Sequence, residues 1–122
     1  MSRGRHYSFE SLSFEQVTAH GGARPIFFHR AGERADGCAY NFLDFTVLPA
    51  GADIGIHTHE PDNEEVYVVV SGRGMMYLDG EQFAVEAGHV IVNRPGGTHG
   101  LRNTGNEELR LVVVELPLSR GE

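Results

Sequence analysis

The chain has 122 residues, enough for one domain that buries about two-thirds of its unfolded surface, and no second domain is expected. Its 17 Asp and Glu against 10 Lys and Arg give a formal net charge of -7, and the arginines stand singly, which argues against a nucleic-acid partner. The single cysteine, Cys38, excludes an internal disulfide framework, and neither a signal-like N-terminus nor a run of about 18 apolar residues is present, so a soluble, cytoplasmic protein without membrane contact is expected.

Residues 1–25 are polar and lack a sustained period. Phe9, Leu12, Phe14 and Val17 suit a short amphipathic turn or an extended arm, ended by Gly21, Gly22 and Pro25. An arm of this kind packs on a partner subunit or stays loosely ordered; together with open sheet edges it makes a homodimer the expectation. Residues 26–118 read as a single domain and 119–122 as a short tail.

Within that domain strand signals follow one another closely. Ile26–Arg30 reads as a short strand and Ala31–Gly37 as a polar loop. The stretch YNFLDFTVLPAG is rich in aromatic and β-branched residues and is closed by Pro49 and Gly51. Arg73–Leu78 and Glu81–Glu86 flank Asp79-Gly80, the pair that favours a type I′ hairpin turn. Gly88 opens HVIVN, the turn-rich RPGGT follows, and His99–Asn103 and Leu109–Leu116 complete the set. Many short strands with Gly and Asx turns and hardly any helix indicate an all-β sandwich or small barrel.

Chemistry concentrates between Gly51 and Gly72, GADIGIHTHEPDNEEVYVVVSG. His57 and His59 are two apart, so on a strand their side chains project from one face, about 7 Å apart along the chain, and can converge on one ion. The acidic pair Glu64 and Glu65 follows. His99, just past the glycine-rich turn, enters the same space from another strand. His6, His20, His29 and His89 read as ordinary hydrogen-bonded histidines, and Cys38 as a small hydrophobe. Met75, Tyr77, Phe45 and Tyr67 read first as packing residues and second as cavity lining.

These residues form two motifs that resemble those of the cupin superfamily, in its small single-domain form, over about residues 41–116. Gly51, His57, His59, Glu65 and Gly72 answer the first cupin motif; Gly88, Pro95, Gly97, His99 and Asn103 answer the second. Three spacings depart from the pattern. Five residues separate His59 from Glu65, where the family usually has fewer; six rather than five separate Gly88 from Pro95; one rather than two separates Gly97 from His99. The last two cancel, and all three fall in turns or at strand ends, where length changes are tolerated. Counting forward from His59 favours Glu64. Counting back from Gly72 along an uninterrupted strand selects Glu65, and a strand holds its length better than a loop, so Glu65 is preferred.

The resemblance implies a cupin-type jelly roll of antiparallel strands with His57, His59, Glu65 and His99 as ligands of one divalent transition metal. The donor set suits Fe, Mn, Ni, Co, Cu or Zn. Four ligands leave open positions, so the expected function is that of an enzyme acting on a small organic molecule. It would be a dioxygenase if the ion exchanges electrons with oxygen, or a Lewis-acid isomerase, lyase or cyclase if it polarises a carbonyl. The alternative is a non-catalytic sugar- or metabolite-binding module. Asn103, in phase with His99, is expected to make structural hydrogen bonds.

Overall fold

The computed structural model describes residues 4–118; the short tail expected at 119–122 lies outside the described residues. Ten strands carry the chain: β1 (Glu15–Val17), β2 (Ile26–Glu33), β3 (Phe42–Leu48), β4 (Asp53–Thr58), β5 (Asn63–Ser71), β6 (Arg73–Leu78), β7 (Glu81–Glu86), β8 (Val90–Asn93), β9 (Thr98–Asn103) and β10 (Leu109–Pro117). Two short 3-10 turns, Phe9–Ser11 and Arg34–Asp36, are the only helical pieces among the described residues. None is long and apolar enough to cross a membrane.

The strands form two antiparallel sheets, one of six in the order β1-β2-β3-β10-β5-β8 and one of four in the order β4-β9-β6-β7. β-strand alternation explains what lies between them. Leu109, Leu111 and Val113 of β10, Tyr67 and Val69 of β5, Met76 of β6, Val85 of β7, Ile91 of β8 and Leu101 of β9 point inward and form one apolar cluster. Along β10 that inward row ends in Glu115, and along β5 it ends in Glu65 and Asn63. One end of the interior is therefore apolar and the other polar.

The hairpin expected at Asp79-Gly80 is present, with φ of 49° and 90° at the two residues, as a type I′ turn requires. Asp79 also accepts a hydrogen bond from the Thr98 N–H at Oδ1, 2.8 Å, tying the hairpin to β9. The strand expected at Ile26–Arg30 runs on to Glu33, because β2 pairs with β3 through a register shift between Arg30 and Gly32. The N-terminal segment is more ordered than an arm: β1 pairs with β2, and Tyr7 and Phe9 lie on Phe45, with ring centroids 5.8 and 5.0 Å away. Phe45 thus faces outward beneath that segment. Met75 and Tyr77 also turn outward, beside Ile56 and Arg102, while Met76 takes the inward place. None of the three lines the interior.

Candidate metal centre

A single bulge sets up the site. β4 and β9 pair at Ile54↔Leu101 and again at His57↔His99, so β4 has one residue more than β9 in that interval. Strict alternation from inward-facing Ile54 would turn Ile56 in and His57 out. With the extra residue, Ile56 is 60% exposed and His57 faces His99. Gly100 accommodates the bulge, since a Cβ there would meet Ile56 at 2.9 Å.

The glycine-rich turn after β8 has a structural task. Its Gly97 carbonyl accepts the His59 N–H at 2.7 Å, and its Gly96 N–H donates to the Glu60 carbonyl at 3.2 Å. These bonds set His59 beside the start of β9. The additional residues between His59 and Glu65 are absorbed in the turn before β5, so the strand keeps its phase. Glu65 faces inward, 7% exposed, while Glu64 faces outward with its Oε1 3.5 Å from Arg94 Nε.

His59, Glu65 and His99 meet. Each offers a ligand atom, and these atoms all lie within 4.8 Å of one another. Glu65 Oε1 stands 3.5 Å from His59 Nε2 and 3.3 Å from His99 Nε2. His99 is fully buried, and neither of its ring nitrogens completes a hydrogen bond; His59 Nδ1 is likewise buried and unpartnered. Buried polar atoms are seldom left alone in a folded protein, so orphaned ring nitrogens around a carboxylate fit a cation-binding site.

His57 stands just outside that circle, its ring centroid 4.5 Å from that of His99 and 6.2 Å from that of His59. Its Nδ1 lies 2.7 Å from the Gly55 carbonyl, which only accepts, so Nδ1 carries the proton and Nε2 keeps the lone pair.

Electrostatics keep the centre ready for a cation. Burial acts to raise the Glu65 pKa, but the imidazoles of His99, His59 and His57 outweigh it, and the net shift is downward. His57 is lowered, first by burial. Tyr67, edge-on to His99 at 5.7 Å, is raised by burial and then by the neighbouring Glu65 carboxylate. The shifts favour Glu65 as carboxylate and His57 as neutral imidazole.

Two residues bordering the site were not singled out from the sequence. His20, read as an ordinary histidine, stacks on His57 with ring centroids 3.4 Å apart and planes within 8°. It lies in an irregular loop, and no spacing signals it. Glu115 places Oε1 3.6 Å from His59 Nε2 and accepts from Asn41 at Oε2, 3.0 Å; burial raises its pKa. An acid in phase with Leu109, Leu111 and Val113 was the available signal. Asn103 donates to the Leu48 and Glu107 carbonyls and accepts from the Gly105 N–H, each at 2.8 Å, a structural role as expected. Cys38 is remote from the site, beside Tyr7 and Tyr40.

A cavity of about 220 Å³ opens next to the cluster, with His20, Glu65, Tyr67, Arg30, Asp44 and Thr46 among its walls. Arg30 is engaged by Asp44 through two contacts of 2.9 Å and lies over the Phe42 ring. The space suits a molecule of a few heavy atoms beside the three donors.

Comparison with known proteins agrees with the geometry. A family model described as a cupin domain matches residues 44–115. An oxalate-binding protein of Thermotoga maritima is 34% identical over 67 residues, covering 55% of this chain and 54% of that protein. An uncharacterized protein of Methanocaldococcus jannaschii is 35% identical over 71 residues, covering 58% and 56%. The chain therefore spans about half the length of the curated relatives it matches. Among solved structures, a Thermotoga maritima protein described as a predicted oxalate decarboxylase superposes with a TM-score of 0.85 at 24% identity, covering 93% of this chain and all of that one, a likeness of fold. With both motifs in place, the two-sheet jelly roll around them and a family match across more than half its length, the chain belongs to the cupin domain family.

Proposed function

We propose that the protein binds one divalent transition metal through His59, Glu65 and His99, with His57 as the fourth ligand, and that the ion holds a small carboxylate of the oxalate kind. The observation that carries this reading is that His59, Glu65 and His99, from the β4–β5 connection, β5 and β9, bring one ligand atom each within 4.8 Å of one another, while His59 Nδ1 and both ring nitrogens of His99 are buried without a partner. An oxalate-binding relative, a cavity of small volume and a carboxylate that stays ionised support it. A bound ion would supply Lewis acidity toward the oxygens of a small carboxylate, with His57, His59, Glu65 and His99 holding it. The chain itself orients the imidazoles through Gly55 and Tyr67 and walls the ligand from water with Thr46 and the Arg30–Asp44 pair.

Elemental analysis of protein purified without chelator or affinity metal tests the centre. About one divalent ion per chain is expected; metal-free protein that still binds small molecules would overturn it in favour of a binding module. Calorimetry with oxalate tests the ligand class. Oxygen uptake by an iron form, or redox-neutral turnover by a zinc or nickel form, then assigns the reaction.

A homodimer belongs to the same proposal. The outer face of β8, β5 and β10 presents Val90, Val92, Val66, Val68, Val70, Val112, Val114 and Leu116, with charges only at its ends. Tyr7 and Phe9 cover the β3 side of that sheet and leave this side bare. A flat aliphatic strip is self-complementary about a two-fold axis, so a second copy is its occupant. Light scattering should give twice the chain mass, and Val90→Arg should halve it; a monomeric wild type would refute the dimer.

A further inference from the structure

The loop between β1 and β2 is built onto the metal-bearing strand. The bulge in β4 removes Gly55 from the ladder with β9, and its N–H donates instead to the Ala19 carbonyl at 3.0 Å. On either side, the Gly22 N–H donates to the same carbonyl at 3.0 Å, and the Ala23 N–H donates to Asp53 Oδ1 at 2.6 Å. Gly55 also lacks the Cβ that would strike the His20 carbonyl. Between these anchors His20 takes φ of 51°, the left-handed region that residues with side chains seldom adopt and that gathers at functional sites.

That conformation has one visible product. It lays the imidazole flat on His57, 3.4 Å away, and makes it part of the wall of the cavity that Glu65 and Tyr67 also line. His20 is exposed on its other side. An exposed imidazole gains little from stacking on the half-buried His57 ring, and an apolar residue would cover His57 as well. A parallel ring one stacking distance from His57 instead sets a second polar edge over the same space.

We propose that His20 is a ligand-binding residue: its ring closes the mouth of the cavity and hydrogen-bonds the outer oxygen of a small dicarboxylate held at the ion. The inference rests on the metal-centre reading above, and it makes the loop before β2 a determinant of which carboxylates are retained.

Cobalt-loaded wild type, His20→Gly and His20→Asn proteins test it, with cobalt content, thermal midpoint and oxalate affinity by calorimetry measured for each. His20→Gly removes the ring while relieving the left-handed backbone, so cobalt content should be unchanged and the midpoint no lower. Its oxalate dissociation constant should rise about ten-fold or more, the effect of a lost hydrogen bond to a charged group. Asn tolerates the same backbone and keeps a donor, so His20→Asn should recover part of the loss. Equal oxalate affinity in wild type and His20→Gly would overturn the inference alone. So would cobalt loss in His20→Gly, which would make the ring a support for His57. Wild type that takes up no cobalt, or takes it up without binding oxalate, would overturn the metal or ligand reading itself, and this inference with it.

Discussion

The two ends of the interior are lined by the same strands and have opposite properties. At one end Leu109, Leu111, Val69, Val85 and Leu101 are almost wholly buried, and every side chain meets another apolar one. At the other, a few residues along the same strands, Asn63, Glu65, Asn93, His99 and Glu115 face inward, and several of their polar atoms have no partner. Burial stabilises at the first end and costs at the second. The apolar end holds the sheets together, and the polar end uses that rigidity to keep costly groups assembled.

The sharpest way to break this contrast is His99→Ala. Removing one of three convergent donors should abolish stoichiometric metal uptake, a larger loss than the about 10–100-fold typical of groups behind the ligands, while circular dichroism stays that of a β protein. Retained metal would remove the centre. Leu111→Ala, at the fully buried apolar end, should lower unfolding stability by about 2–5 kcal/mol and leave metal stoichiometry intact below the melting transition. Loss of metal in that variant at low temperature would show that the two ends are not separable.

Acidification should sharpen it further. Burial lowers the pKa of both His20 and His57 from the usual 6.5, so below that value the unfolded chain takes up protons that the folded chain refuses. Stability of the metal-free protein should therefore fall as pH drops from 7 toward 5. Glu65, lowered, adds to the loss near its usual 4.5 and below; Glu115, raised, works against it. Denaturant melts across this range check the sign, and a rising curve would contradict it. The smallest expected effect is at Asn93, fully buried with both amide atoms unpartnered. Asn93→Leu should leave stability unchanged or raise it by about 1 kcal/mol, because no hydrogen bond is lost and a desolvation cost is removed.

Much of this was legible in the chain. The Asp79-Gly80 turn, the strand series and the spacing of His57, His59, Glu65 and His99 are local patterns, and local patterns are what a sequence displays directly. The choice of Glu65 over Glu64 followed from treating β5 as a fixed ruler from Gly72, and Glu65 lies on the inward face of that strand. What was hidden depends on distant chain. The β4 bulge exists only relative to β9, and His20 acquires its neighbour through hydrogen bonds from β4 to a loop more than thirty residues earlier. The outward turn of Met75 and Tyr77 was hidden for the same reason, since both faces of β6 are apolar and only pairing partners decide which is inside; on β3 the pattern points the wrong way, because Asp44 and Thr46 turn inward beside Val113 and Leu111 and leave Phe45 outside.

The supernumerary residue in β4 separates two inheritances. A chain shortened by one residue at Ile56 would still bring Ile54 and His57 to the same side, now two apart as in a plain ladder, so an ion could still be seated. It would return the Gly55 amide to strand pairing and unmoor the loop before β2. On the proposed reading, selectivity for what the ion holds would be gained or discarded by a single codon, with the donors of the metal site left in place.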